Sequence, residues 1–208
     1  MSPTPSPTRK RVRRSQEQRS SETRAKVILA ATECVAELGL KGATMSAIGD
    51  RAGVTWGAMQ HQFGDKDSLF DAVLEQCLLD LETHLAGLAS DVPDPAERLH
   101  TLVERFSRLL AGPIYPAFVE IQLERGRSGN ADNESWAEYA EGALERVWTS
   151  VFGDLGISRR KLLVAERFFF VVVSGIAAER MLFPGASFAR THLETLDDTL
   201  LRLLEIHE

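Results

Sequence analysis

The sequence is poor in the residues that build metal centres and disulfides. It has only two cysteines, Cys34 and Cys77, and both fall within segments of helical patterning that lack a metal-binding Cys/His spacing. The five histidines are scattered, and no two of them stand four residues apart, the spacing that places two imidazoles over one metal. We therefore expect two small buried thiols, no disulfide and no metal.

Long apolar runs are also missing. The longest apolar run without a charge, residues 168–178, has 11 positions, whereas a spanning helix needs about 18. The basic N-terminal stretch has no apolar segment behind it and does not resemble a secretory signal. With 208 residues, 44% of them hydrophobic, the chain can form one or two domains with real cores. We expect a globular protein of the cytoplasm.

Alternation with a period of two, the sign of a strand, occurs only in the short block FFFVVV, whose flanks have helical spacing. Elsewhere apolar residues recur every three or four positions, between helix caps and glycine or proline breaks. The segment from Ser158 to Leu182 is apolar nearly all round and must be enclosed on all sides. The sequence therefore predicts an all-α fold with about nine helices.

The net charge of -6 hides an uneven distribution. Residues 1–26 carry eight Lys or Arg against two Glu, whereas residues 72–208 carry 13 basic against 22 acidic side chains. A cationic arm on an acidic body suits a polyanion such as DNA at one end, and a solubilising leader is the alternative. We predict that residues 1–20 form a disordered basic arm.

Two short helices follow the first long one. Thr44 and Thr55 are good N-caps, and Gly53 ends the first short helix. At 100° per residue, Met59 and Phe63 point the same way, toward the first helix. The opposite side carries small or hydrogen-bonding groups in place of Lys and Glu, as reading base edges in a major groove requires. This arrangement predicts a helix-turn-helix.

The stretch GATMSAIGDRAGVTWGAMQHQFGDKDSLFDAV resembles the N-terminal DNA-binding region of TetR-family transcriptional regulators. The resemblance implies a three-helix DNA-binding domain over residues 21–65 and a helical ligand-binding and dimerisation domain over residues 66–208. It also implies a homodimer, usually a repressor, that binds a palindromic operator and is released by a small molecule. The positions that match or neighbour the family's DNA contacts are Thr44, Ser46, Thr55, Trp56, Gly57, Gln60, His61, Gln62 and Lys66.

This chain departs from the family pattern at three of those positions. The family often has Tyr where Gln60 and Gln62 stand and Arg where Ser46 stands, which leaves the balance of DNA contacts open. The angle of Trp56 lies near the Met59 side, so packing in the core and contact with a base are both open at that residue.

A mostly apolar effector pocket is predicted among the middle helices because polar groups occur there among apolar ones. The candidate residues are Phe106, Leu110, Tyr115, Phe118, Val119, Gln122, Trp136 and Tyr139. Aromatics at helical spacing are usually core, and the resemblance is what favours a pocket for a largely apolar small molecule.

The dimer interface is predicted on the last two helices, where small residues permit close approach and large ones supply area. The candidates are Phe169, Val173, Gly175, Ala178, Leu196, Leu200 and Leu203. Packing within the single chain is the alternative at these positions.

Other classes of function have less support in the sequence than a DNA-binding regulator. No paired carboxylates, nucleophile with a base, or phosphate-cradling glycine loop appears, so we expect no enzyme and no cofactor. A helical small-molecule-binding or scaffolding protein with impaired DNA binding is the alternative function.

Overall fold

The computed structural model describes residues 16–128, 132–183 and 189–207. Over these residues the chain forms α-helices, one 3-10 turn and no strand, which confirms the all-α prediction. The helices are α1 (Gln16–Gly42), α2 (Met45–Ala52), α3 (Trp56–Phe63), α4 (Lys66–Leu85), α5 (Leu88–Asp91), α6 (Pro95–Ala111), α7 (Ile114–Ser128), α8 (Asp132–Phe152), α9 (Arg159–Leu182) and α10 (Ala189–Leu204).

Nine of the helices in the described ranges have eight or more residues, and α5 is an additional four-residue turn. The apolar spacing of the sequence predicts a single helix from about Lys66 to Ala89, but α4 ends at Leu85. Ala86 leaves the helical region, and Gly87 adopts a φ of 74°, a left-handed conformation that ends the helical path. The apolar stripe continues through Leu88, which is why the sequence pattern ran on past the break.

The start of α1 differs from the prediction. The disordered arm was expected to extend to residue 20, but α1 begins at Gln16, and the rest of the predicted arm, residues 1–15, lies outside the described residues. Gln, Glu and Arg are good helix formers, so residues 16–20 extend the helix although every one of them is exposed. An extension that packs nothing leaves no apolar period in the sequence.

Two hydrophobic cores lie at the two ends of the molecule. The first lies among α1, α2 and α3 and includes Ile48, Met59 and Phe70. The second lies among α6, α9 and α10 and includes Phe106 and Phe169. Helices α4, α7 and α8 contribute buried residues to both cores. The hydrophobic packing therefore crosses the predicted domain boundary at residue 65, and the two ends are linked through three shared helices.

A buried guanidinium ties α6 to its neighbours. Arg98 is 1% exposed, and it donates hydrogen bonds to the carbonyl oxygens of Val92 and Val151 and to the carboxylate of Asp154. The Arg98 hydrogen bond and charge hold the pKa of the Asp154 carboxyl below its usual range. A buried charge needs such partners because desolvation alone would be costly.

Across the described ranges, no helix is both long and apolar enough to cross a membrane.

Candidate nucleic-acid interface

The orientation of α3 is set by two buried side chains. Met59 is 1% exposed and Phe63 is 7% exposed, both in the core formed with α1 and α2, as the helical spacing predicted. The Arg24 guanidinium of α1 lies 4.8 Å from the centroid of the Phe63 ring. Since α3 has only eight residues, fixing these two side chains fixes the direction of the opposite face.

The turn between α2 and α3 is compact. Gly53 has a φ of 65° and its N–H group bonds back to the end of α2, and the N–H of Val54 donates to the carbonyl of Gly49 at 3.1 Å. A Cβ atom at Gly49 would lie 2.9 Å from the Met59 Cε and 3.3 Å from the Val54 carbonyl oxygen, so α2 and α3 approach each other closely at this glycine. Thr55 then caps α3 by accepting a hydrogen bond from the N–H of Ala58 at 3.3 Å.

The outward face of α3 carries the predicted base-reading groups. Trp56, Gly57, Gln60 and His61 are exposed, and Trp56 keeps 56% of its surface accessible to solvent. The core alternative at Trp56 is therefore wrong, because its indole projects from the first turn of the helix. An added Cβ at Gly57 would meet no atom within 4 Å, so this position is open to a close-approaching partner.

The expected phosphate contacts at the start of α2 are exposed as well. Thr44 caps α2, and its hydroxyl accepts a hydrogen bond from the N–H of Ala47 at 3.2 Å, while Ser46 lies exposed in the first turn. The free backbone N–H groups at such a helix start favour an anion.

Two predicted DNA contacts are engaged within the chain. The amide nitrogen of Gln62 donates to the hydroxyl of Ser20 at 2.7 Å and to its carbonyl at 3.3 Å. The ammonium of Lys66 donates to the carbonyl oxygen of Leu40 at 3.0 Å and lies 5.1 Å from the centroid of the Phe70 ring. Neither side chain projects freely toward a DNA strand. Gln62 is held by Ser20, which lies in the early part of α1, and Lys66 is held by Leu40, which lies beside the start of α4.

The predicted effector residues divide between different places. Phe106, Tyr115 and Phe118 line one partly open cavity of about 50 Å³ between α4, α6, α7, α8 and α9. Its other walls include Cys77, Leu81, Leu144 and Phe170. The Tyr115 hydroxyl and the Ser174 hydroxyl are 3.0 Å apart, and burial raises the pKa of Tyr115 to about 12. The cavity is therefore lined by apolar and uncharged polar groups.

The other five candidates lie outside this cavity. Leu110 lines a wider, open groove between α6, α9 and α10, and Val119 packs against the second core. Gln122 is half-buried. Trp136 is buried in the first core and contacts Tyr139, which is 47% exposed. Of these two aromatics on α8, Trp136 therefore belongs to the core and Tyr139 to the surface.

Most of the predicted dimer contacts are covered by the chain itself. Phe169, Val173, Leu196 and Leu200 are at most 1% exposed in the second core, so assigning them to an interface with a second subunit was wrong. Only Gly175, which is exposed, and Ala178 and Leu203, which are half-buried, reach the surface. A helix that is apolar all round gives no sequence signal for which of its faces its own chain covers.

A different set of apolar side chains on α9 is exposed. Val164 is 49% exposed, Val171 71% and Leu182 70%, and Gly175 and Ala178 lie between them along the helix. The spacing of these residues alternates between three and four in its second half, so they form one stripe. We call residues Val164, Val171, Gly175, Ala178 and Leu182 the α9 stripe.

The fold and the face of α3 define a helix-turn-helix protein. Residues 27–73 match the family described as bacterial regulatory proteins, tetR family. The regulator BetI of Stenotrophomonas maltophilia is 34% identical over 82 residues, which are 39% of this chain and 42% of that protein. BetI of Burkholderia lata is 37% identical over 83 residues, 38% of this chain and 42% of that protein. The chain thus spans less than half of the length of these relatives.

Solved structures match the chain over most of its length. A TetR-family regulator from Streptomyces coelicolor, SCO4454, superimposes with a TM-score of 0.69 over 90% of this chain and 97% of that one, at 18% identity. SmeT in its complex with triclosan matches with a TM-score of 0.58 over 86% of this chain and 90% of that one, at 25% identity. These matches agree with the resemblance: residues 27–73 match the tetR-family model, and the chain has the fold of a solved TetR-family regulator.

Proposed function

We propose that this protein is a ligand-responsive transcriptional regulator that binds a palindromic operator as a homodimer, represses from it and is released by a small molecule. The exposed face of α3 carries the proposal. Its Gln60 and His61 side chains offer donors and acceptors to base edges. Gly57 leaves room for a DNA backbone to approach closely, and the exposed Trp56 indole can contact a sugar. The family match over residues 27–73 supports the same function.

Helix α3, whose outward face is proposed to read bases, carries no acidic side chain. Phosphate contacts supply affinity and base contacts supply specificity. Thr44 and Thr55 cap the two helices of the motif and Ser46 lies beside the first cap, so N–H groups at both helix starts are available to phosphates. Gln62 and Lys66 can join only if they exchange their intramolecular partners for DNA.

For the effector, the small cavity beside Tyr115 is the site that we favour. Its volume of about 50 Å³ is below the few hundred Å³ of a typical ligand pocket, so a bound effector would have to spread α7 from its neighbours. Because its walls are apolar apart from Tyr115 and the half-buried thiol of Cys77, an uncharged and largely apolar compound fits best. The complex of the similar SmeT with triclosan supports an effector in this fold.

The α9 stripe is the surface that we assign to the homodimer. Val171 and Leu182 supply apolar area, and Gly175 and Ala178 allow another helix to approach closely. An operator that is read by two copies of α3 would have half-sites about 34 to 36 Å apart or a multiple of that distance.

The function is tested by selecting bound duplexes from a random pool. We expect a palindromic winner, and we expect the double variant Gln60→Ala/His61→Ala to lose at least about tenfold of its preference for it, since each bidentate base contact contributes roughly 1–3 kcal/mol. Affinities for the winner and for a scrambled duplex are compared by fluorescence anisotropy.

The matched control carries the same chemical change on α4, Gln76→Ala/His84→Ala, and should keep the preference of the parent protein. Retained preference in the α3 variant would reject the assignment of base reading to this face. Repeating the selection with candidate compounds would identify the effector class through loss of the winner.

The dimer surface can be tested at a single glycine. An added Cβ at Gly175 meets no atom within 4 Å in the chain, so Gly175→Leu should fold normally and yet obstruct a partner helix. We expect the dissociation constant of the dimer to rise at least about tenfold, equivalent to a loss of roughly 1.4 kcal/mol of binding free energy. Sedimentation equilibrium measures the dissociation constant.

The control is Gly126→Leu on α7, another exposed glycine whose Cβ would meet no atom within 4 Å. Equal dimer affinity for Gly175→Leu, Gly126→Leu and the parent chain would exclude the α9 stripe as the interface.

The basic arm is proposed as an additional phosphate-binding segment. Because Ser20 belongs to α1 and holds Gln62, a deletion that tests the arm should end at residue 14 and leave the helix intact. Removing residues 2–14, which include five Lys or Arg, should make the salt dependence of operator affinity less steep. The log–log slope should fall by about 0.9 for each phosphate that the arm neutralises in the parent complex.

A second variant keeps all 208 residues and changes the five basic residues of the arm to Gln, so that the effect of charge is separated from the effect of chain length. Slopes that stay equal to that of the parent protein in both variants would show that the arm neutralises no phosphate.

A further inference from the structure

Besides apolar packing, helix α7 makes a hydrogen bond to one peptide group of the α1–α3 unit, residues 16–63. The N–H of Leu40 donates to the Oε1 atom of Glu120 on α7 at 2.7 Å, and the carbonyl of the same residue accepts from the Nζ atom of Lys66 at 3.0 Å. All three residues are half-buried, so water screens these contacts less than it would at an exposed site. We call this arrangement of Glu120, Leu40 and Lys66 the Leu40 clasp.

The backbone next to Leu40 is shaped for this contact. Gly39 has a φ of 70°, which breaks the regular path of α1 and turns the Leu40 N–H away from the helix. A Cβ atom at Gly39 would lie 3.3 Å from the Glu120 Oε1, so a side chain there would be strained by its φ and would crowd the carboxylate. The end of α1 is thus free to donate to a group on another helix.

Helix α7 also lines the small cavity beside Tyr115. Tyr115 and Phe118 line the cavity from α7, and Glu120 follows Phe118 by two residues. Two further residues of α7, Ala117 and Ile121, are buried in the first core against the α1–α3 unit. A displacement of α7 at the cavity would therefore move both the packing of Ile121 and the Glu120 carboxylate.

We propose that Glu120 is a positioning residue, whose carboxylate holds the Leu40 peptide and thereby fixes the orientation of the α1–α3 unit on the body. The regulatory consequence rests on the proposed function: an effector that spreads α7 would withdraw Glu120 from Leu40 and release that orientation. Glu120 touches neither DNA nor effector in this account and acts through the backbone of Leu40. A charge-assisted hydrogen bond of this kind is stronger than a neutral one.

The clasp itself is tested without DNA by amide hydrogen exchange at Leu40. Glu120→Ala should speed exchange of the Leu40 N–H by about tenfold or more, because the variant removes its acceptor. Glu120→Gln keeps an amide oxygen at the same place and should restore part of the protection. The control is Glu124→Ala, one turn further along α7, where the carboxylate pairs with Arg127 of the same helix.

The orientation is measured by a spin-label distance within one chain. Labels at Asp50→Cys on α2 and Arg108→Cys on α6 span the α1–α3 unit and the body, and excess unlabelled protein removes distances between subunits. Cys77 is half-buried, so the labelled variants also carry Cys77→Ser, whereas Cys34 is buried and should stay unlabelled. Glu120→Ala should broaden or shift the distance distribution, while Glu124→Ala should leave it unchanged.

Operator affinity provides the functional measurement. With the duplex selected above, Glu120→Ala should bind up to about tenfold more weakly, because losing a charge-assisted hydrogen bond lowers the fraction of protein in the binding orientation. Glu120→Gln should recover part of that affinity. Unchanged Leu40 exchange, or an unchanged distance distribution, would overturn the proposal whether or not the protein binds a duplex. If the parent protein selects no duplex, the proposed function fails, and the exchange and distance measurements still decide the role of Glu120.

Discussion

The arrangement depends first on the burial of Met59 and Phe63. Burying a large apolar side chain stabilises a fold by roughly 1.5–3 kcal/mol, and no other buried side chains anchor the eight-residue α3. With both side chains in the core of α1 and α2, the opposite side of α3 must face outward. The exposure of Gln60 and His61 follows from that packing, whereas Trp56, whose angle lies near the Met59 side, is exposed because it stands in the first turn of α3. The proposal that α3 reads DNA depends on these exposed side chains.

The second constraint is that the two cores share helices. α4, α7 and α8 each bury residues at both ends of the molecule, so a change in packing around Tyr115 cannot stay local to the body. Protein interiors are closely packed, and they transmit displacements through rigid elements. The Leu40 clasp adds a polar contact to this shared packing at the point where α1 ends. Effector and operator can influence each other only if they bind two different arrangements of these shared helices with unequal free energies.

Much of the fold could be predicted from the sequence because its signals are local. Thr44, Gly53 and Thr55 mark helix ends by cap chemistry, and Met59 and Phe63 share a face by helical period alone. Contacts between distant segments could not be predicted in this way. The Gln62 contact with Ser20, the Lys66 contact with Leu40 and the Glu120 contact with Leu40 depend on tertiary geometry. On α9, an apolar surface all round concealed which side the chain itself covers, so Phe169 and Val173 were placed outside and Val171 was overlooked.

The most direct measurement of the central claim uses the tryptophans. Trp56 is 56% exposed, whereas Trp136 and Trp148 are buried, so acrylamide should quench mainly the Trp56 fluorescence of the free protein. If the outward face of α3 lies in a DNA groove, the selected duplex should protect Trp56 and remove most of this quenching, and a scrambled duplex should protect it much less. Equal quenching with and without the selected duplex, at concentrations where the protein is bound, would contradict the account.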